Sequence, residues 1–318
     1  MSQLLRDEPD VLEVYITRIA AATGIPAAHI EKDFWVTEVL RGVATASQQT
    51  GCSIVFKGGT NLSKAHRLIQ KFSEDVDLIA ILPAGGKNAR DKTLKAFAEA
   101  ASIATGIVPT VDPNSSTTGV KRTATFTYET ARDTGILRPG VLMELGTEGG
   151  ALPQRRLAVQ SLITEHAETA GLPIDFNEAT PVSLLVLEPV RTLADKLALL
   201  HHAATEGARG DNRKTATARH YYDIDRLLRN DQVIAHLTDS PMDLLAREVC
   251  EHSRSAGLPT ADQPKGSFAT SPAWDPAQAT IAMRAYTSTV LPNLVWPNSP
   301  TSTFEECCKK IHDLVRIL

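Results

Sequence analysis

The sequence predicts an α+β fold in two parts, a sheet domain with N-terminal helices over residues 1–175 and a helical domain over residues 176–318. Three observations predict it. Apolar residues recur at helical spacing before any strand pattern begins. Short apolar runs bounded by turn residues then follow one another up to residue 145. From residue 181 onward the apolar spacing is helical. Helix, strand, helix and then several strands describes a sheet with its helices segregated to one face. The length, 318 residues, also fits two cores better than one.

The elements follow in order. Leu12, Val14, Tyr15 and Ile19 give a helix over residues 11–22. Pro26, favoured in a first turn, opens a second helix through Ile30, Phe34, Val39 and Leu40 to about Val43. Residues 52–57 form a short apolar run that reads as a buried strand, ended by Gly58 and Gly59. A helix is expected over 60–70, from Leu62, Ala65, His66 and Ile69, and a second strand over 72–82, closed by Pro83. Residues 87–104 resemble an exposed helix with an alanine-rich face, and 110–119 a turn-rich loop. Strands are expected over 121–129 and 137–145. In the second part the clearest helices are 187–204, 218–229 and 241–255. A polar loop over 256–272 and two helical patterns, 276–290 and 303–318, complete the chain.

Composition limits the function classes. Hydrophobic residues make up 42% and charged residues 22%, a globular balance. No run approaches the ~20 apolar residues of a membrane span. The first ten residues mix Arg6 with Asp7, Glu8 and Asp10, unlike a secretory signal. The four cysteines, Cys52, Cys250, Cys307 and Cys308, form no CxxC pair, which points to reduced thiols and a cytoplasmic location. The formal net charge of -4 means that any contact with nucleic acid must use a local basic patch.

Two segments carry the chemistry. The first is Lys57-Gly58-Gly59-Thr60-Asn61-Leu62. Glycines let a backbone approach a phosphate, and a helix start offers it unpaired N–H groups. Thr60 adds a hydroxyl there; helix capping is the other reading of it. The second segment is Phe72-Ser73-Glu74-Asp75-Val76-Asp77-Leu78. Strand alternation puts Asp75 and Asp77 on one face with Ser73 and Ile79, and Phe72, Val76 and Leu78 on the other. Two neighbouring carboxylates repel, and aspartate is a poor strand former, so packing does not explain them. A divalent cation does, since magnesium binds through one or two carboxylates plus substrate phosphates. The remaining reading is a solvated edge strand.

A phosphate-cradling turn shortly before a two-carboxylate strand resembles the polymerase-β-like nucleotidyltransferases. A third carboxylate then comes from a later strand. Glu144, which interrupts the apolar run Val141 to Leu145, is the candidate; an outward polar position on a half-buried strand is its alternative. FKGGTNLSKAH and FSEDVDL, with the earlier EKDFWV, resemble more narrowly the AbiEii/MenT family of nucleotidyltransferase toxins from type IV toxin–antitoxin systems. Leu193-Ala194-Asp195-Lys196-Leu197 and Arg219-His220-Tyr221-Tyr222-Asp223-Ile224 match as well, so the resemblance runs from about Glu31 to Leu228. One departure is Asn61, where the family usually carries Ser or Ala; asparagine can still donate a hydrogen bond.

The resemblance implies a metal-dependent nucleotidyltransferase (EC 2.7.7-type), with Mg2+ or Mn2+ on Asp75 and Asp77 and a nucleoside triphosphate as substrate. It implies Asp75, Asp77, Glu144, Lys196 and Asp223 as catalytic residues, in a cleft completed by the helical domain. The nucleotide-binding set is Lys57, Gly58, Gly59, Thr60, Ser73 and Lys196. The implied partners are RNA, the 3′ end of tRNA first, and a cognate antitoxin, with no membrane; the implied outcome is a block of translation and growth. Read from the residues alone, Lys196 edges a stripe of Leu193, Leu197 and Leu200 and fits a snorkelling lysine better than a site residue. Arg219, Asp223 and Arg226 equally fit an exposed ion-pair ladder. Arg209, Arg213, Lys214 and Arg219 cluster in and after a polar loop over 206–217 and are the expected RNA contacts, with Lys121, Arg122, Arg155 and Arg156 as further basic positions. Two other function classes remain open: a nucleotide-binding module that transfers nothing, and a protein phosphotransferase using the same glycine turn.

Overall fold

A computed structural model describes residues 4–82, 84–133, 135, 137–147, 150–206, 211–239, 242–255 and 268–315. The chain divides into two compact units. Unit 1 is Met1–Ala65 with Phe72–Val186, and unit 2 is His66–Lys71 with Leu187–Leu318.

Unit 1 begins with α1 (Pro9–Thr23) and α2 (Ala27–Thr50). Then come β1 (Ser53–Lys57), α3 (Gly58–Lys64), β2 (Asp75–Ile81), α4 (Lys87–Thr105), β3 (Thr110–Val111), β4 (Lys121–Phe126), β5 (Val141–Gly146), β6 (Gln154–Val159), α5 (Leu162–His166) and β7 (Val182–Leu187). The strands make one seven-stranded sheet in the order β3-β4-β5-β2-β1-β7-β6. β1 runs antiparallel to β2 and parallel to β7, and β2 runs parallel to β5. The alternation expected of β2 is present: Val76, Leu78 and Ala80 are buried in one core with Val36, Val39 and Val43 of α2 and Leu94, Phe97 and Ala101 of α4. The helices therefore cover one face, and Asp75 and Asp77 project from the other.

Several expectations are corrected. α2 runs past Val43 to Thr50, because its last turns are polar yet still helical, and it stops at Gly51. The alanine-rich face of α4 is not exposed. Ala98 and Ala101 are buried, and a Cβ on Gly42 would lie 2.4 Å from the Ala100 carbonyl, so α2 and α4 nearly touch backbones there. Residues 110–119 are not all loop, since Thr110 and Val111 pair with β4. The helix expected over 60–70 ends at Lys64, and Arg67 takes a left-handed φ of 55°. Val182–Leu187 is a strand rather than a helix start: Val182, Leu184 and Val186 alternate into the core, and the sheet reaches that far.

Unit 2 holds α6 (Pro189–Thr205), α7 (Asp211–Thr217), α8 (Arg219–Leu227), α9 (Asp231–Asp239), α10 (Met242–Ser255), α11 (Thr280–Ala285), α12 (Leu291–Leu294) and α13 (Phe304–Val315). Leu193, Leu197 and Leu200 of α6 and Tyr221, Ile224 and Leu227 of α8 are buried, as their spacing predicts. The segment His66–Lys71 joins this unit through backbone contacts. The Gln70 carbonyl accepts from Trp296 N at 3.0 Å, and Lys71 bridges Val295. The four cysteines are buried free thiols. Among the described residues no helix is long and apolar enough to cross a membrane.

Candidate active site

The sheet lays charged side chains in a row. Lys57 of β1 lies in register with Asp77 of β2, Asp77 with Glu144 of β5, and Glu144 with Thr123 of β4. Side chains in register on neighbouring strands share a face. Asp75 is two residues before Asp77 and therefore shares it too, which puts three carboxylates on the face that α2 and α4 leave uncovered. Met143 and Leu145, which flank Glu144, are buried on the opposite side. The Glu144 carboxylate is engaged by Lys121, whose Nζ donates to Oε1 at 2.7 Å.

The glycine pair stands against this row. Gly58 opens α3 with a φ of +78°, and a Cβ there would come within 2.3 Å of Asp77 Oδ2. A Cβ on Gly59 would come within 2.9 Å of Ser73 Oγ. A side chain at either position would crowd the segment that carries the aspartates, and at Gly58 the positive φ disfavours one as well. Thr60 is buried and does not cap the helix. Its hydroxyl meets Ser73 Oγ at 2.8 Å and donates to the Asp75 carbonyl at 2.6 Å, tying α3 to the start of β2. Asn61 is wholly buried within α3. Without side chains, Gly58 lets its backbone lie against the Asp77 carboxylate and Gly59 against Ser73, and the donors there are carboxylate and hydroxyl oxygens. That donor set fits Mg2+ or Mn2+, which take hard oxygen ligands and leave positions for substrate phosphates. Among the described residues no three acidic, histidine or cysteine side chains converge closely enough to hold an ion by themselves, so a bound ion would need oxygens from a ligand.

A second charged cluster lies within unit 2. Asp223, wholly buried, receives Lys196 Nζ at 2.9 Å and Lys71 Nζ at 3.2 Å on Oδ2. His220 Nδ1 lies 3.0 Å from Lys196 Nζ. Lys196 therefore does not snorkel, and Asp223 is no rung of an exposed ladder. Burial alone would raise the Asp223 pKa, but Lys196, Lys71 and His220 together hold it well below 3.8. Burial, helped by Lys196 and Arg219, pushes the Lys71 pKa down to about 8 against the pull of Asp223. Burial and Lys196 likewise push His220 down to about 3. With His220 neutral, two ammonium groups face one carboxylate, so the cluster keeps an excess positive charge. Lys71 and His220 were not anticipated as site residues. Lys71 stands before a strand pattern, and its partner Asp223 is 152 positions away, beyond the reach of any local spacing.

The basic positions do not form one set. Arg213 and Lys214 lie on α7, not in a loop, and each has an acidic neighbour: Arg213 Nε is 2.9 Å from Glu206, and Lys214 Nζ is 3.1 Å from Asp211. Arg219 is half-buried at the start of α8. Arg209 lies outside the described residues. His201 and His202 diverge, to Ser271 and Glu206.

A search of curated proteins returns no match. Among solved structures, the chain is similar to MenT4, a nucleotidyltransferase toxin from Mycobacterium tuberculosis H37Rv. The identity is 16% over 95% of this chain and 97% of that one, with a TM-score of 0.40. The model of the family described as nucleotidyl transferase AbiEii toxin, type IV TA system, matches residues 41–295, well over half of the sequence and both of its motif-bearing parts, and the chain belongs to that family.

Proposed function

We propose that this protein transfers a nucleoside monophosphate from a nucleoside triphosphate to the 3′ end of an RNA, tRNA first, and that this blocks translation and growth. The observation that carries the reading is the carboxylate row of Asp75, Asp77 and Glu144 standing against the glycine pair that opens α3. In the reaction the acceptor hydroxyl oxygen bonds to the α-phosphorus. The bond from that phosphorus to the β-phosphate bridging oxygen breaks, pyrophosphate leaves, and the hydroxyl proton is lost. Asp75 and Asp77 would hold Mg2+ or Mn2+, with Glu144 as the third carboxylate of the row. When bound, the ion neutralises charge on the triphosphate and favours the hydroxyl's deprotonation.

The chain's own residues do the remaining work. The backbone at Gly58 and Gly59 approaches the phosphates, because no side chain intervenes. Thr60 and Ser73 hold α3 against β2 and so keep that backbone beside the aspartates. Lys57 adds a cation in the same row. Lys196 provides a compact positive charge for phosphate, and Asp223 fixes its ammonium. Arg209, Arg213, Lys214 and Arg219 are assigned to RNA phosphates. The other partner is an antitoxin, and the compartment is the cytoplasm.

Incubation with Mg2+, total tRNA and triphosphates labelled on the α-phosphate tests this. RNA labelled from the α-phosphate and not from the γ-phosphate is expected. Label arriving from the γ-phosphate on protein would make the chain a phosphotransferase. Triphosphate binding without labelling of any RNA would make it a silent binding module.

A further inference from the structure

The segment EKDFWV is not absorbed by the site described so far, although its charged residues are buried in α2. Glu31 accepts from Thr130, and Asp33 accepts from Lys64 at 2.5 Å and from Leu162 N at 2.7 Å. Each of these ties one loop or helix end to α2. Lys32 does something different. Its side chain is 1% exposed, and Nζ donates to Glu74 Oε2 at 2.5 Å and to the Arg138 carbonyl at 2.6 Å. The same Glu74 oxygen accepts from Arg138 N at 2.8 Å. Both backbone polar groups of one residue, Arg138, are thus held by one ion pair, in which Lys32 is buried and Glu74 keeps 17% exposure. The Arg138 side chain is itself 61% exposed, and its Nη1 lies 4.0 Å from Asp75 Oδ1.

A pair at that distance with one partner exposed contributes little to stability. Burying the Lys32 ammonium carries a desolvation cost that its partners must offset. Burial lowers the Lys32 pKa even beside Glu74 and Asp75. A buried ammonium that fixes, with Glu74, the backbone of an exposed arginine makes sense if the position of that arginine matters. What lies beside it is Asp75, where the nucleotide's phosphates are expected.

We propose that Arg138 is a nucleotide-binding residue whose guanidinium contacts the triphosphate next to Asp75, and that Lys32 and Glu74 are positioning residues that aim it. The inference rests on the proposed nucleotidyltransferase reading and adds to it a phosphate contact and its support. A planar guanidinium suits phosphate oxygens in pairs, which a lysine does not match.

The test is Arg138→Ala in the full-length protein, with nucleotide affinity measured by calorimetry in Mg2+ and KM measured separately for triphosphate and RNA. The expected result is a loss of about tenfold or more in triphosphate affinity and a matching rise in its KM, the order of one charge-assisted contact. KM for RNA and the melting temperature should not move, since the side chain is exposed and its backbone contacts remain. Arg138→Lys should recover only part of the loss. Lys32→Met should raise KM for triphosphate in the same direction; if it fails to fold, the Arg138 variants decide alone. Unchanged triphosphate affinity in Arg138→Ala overturns the proposal, and so does a defect confined to RNA. Asp77→Asn separates the two claims. If it stays active, the reading of the site fails; if it is inactive while Arg138→Ala binds triphosphate like the parent, only this inference fails.

Discussion

Gly58 and Asp77 are packed so closely that a Cβ on the glycine would stand 2.3 Å from the aspartate's Oδ2. The glycine also holds a φ of +78°, which costs an ordinary residue roughly 1–2 kcal/mol. Gly58→Ala should therefore act twice: a modest loss of stability, and displacement of the Asp77 carboxylate. A melting-temperature scan beside the labelling assay reads both. We expect activity to fall at least ~100-fold while the protein still folds, because misplacing a reacting group by about 1 Å can cost that much. A variant that is merely less stable, with full activity, would show that Asp77 can move without consequence.

Asp77→Asn keeps the volume and removes the charge. Transfer should fall at least ~100-fold through the lost metal ligand, a few kcal/mol of transition-state stabilisation. Without metal, thermal stability should be equal or higher, since Asp75, Asp77 and Glu144 repel along one face. The decisive comparison is stability with and without Mg2+: the parent should gain from the ion and the variant should not. A variant that gains equally would place the ion elsewhere.

Much of unit 1 could be read from sequence because its signals are local. The alternation around Asp75 and Asp77, the strand ended by Gly58, and the helix over 87–104 each depend on neighbours a few residues away. Two kinds of feature could not be read. The short length of α3 and the fate of residues 66–71 depend on long-range pairing to Val295 and Trp296, so helical spacing at Ile69 was misleading. The charged pairs show the same gap. Lys196 and Asp223 were singled out, but the third member, Lys71, is joined to them by a contact across 152 positions. Val182 to Leu187 read as helical because a short buried strand and a short helical stripe have the same apolar content.

The Lys71 ammonium should leave a signature in alkaline stability. Its folded pKa, about 8, lies below the ordinary 10.5. Between those values the unfolded chain binds the proton and the folded protein does not, so folded stability rises with pH. Below about pH 8 that contribution is lost. The parent should gain on Lys71→Met by up to ~1.4 kcal/mol per pH unit from pH 8 to 10. Chemical denaturation of both proteins at four pH values checks it. A constant difference would mean that Lys71 titrates normally and keeps its charge beside Asp223 throughout that range.

If RNA is the acceptor, the acidic protein must grip it locally, and α7 offers Arg213 and Lys214. Each now faces a carboxylate, Glu206 or Asp211, at about 3 Å. RNA phosphates would have to outcompete those neighbours, so each contact should be worth less than a free cation's. Phosphate contacts release counterions, which makes binding weaken as salt rises. The double variant Arg213→Ala, Lys214→Ala should lower the salt slope of RNA affinity by about one per lost contact, and at most about two. RNA labelling should weaken most at low salt, where those contacts count most. Triphosphate affinity should stay unchanged, because neither residue belongs to the carboxylate row or the glycine turn. Equal slopes for parent and variant would remove α7 from the RNA surface. A variant with the parent's slope but weaker triphosphate binding would move these two cations to the nucleotide instead.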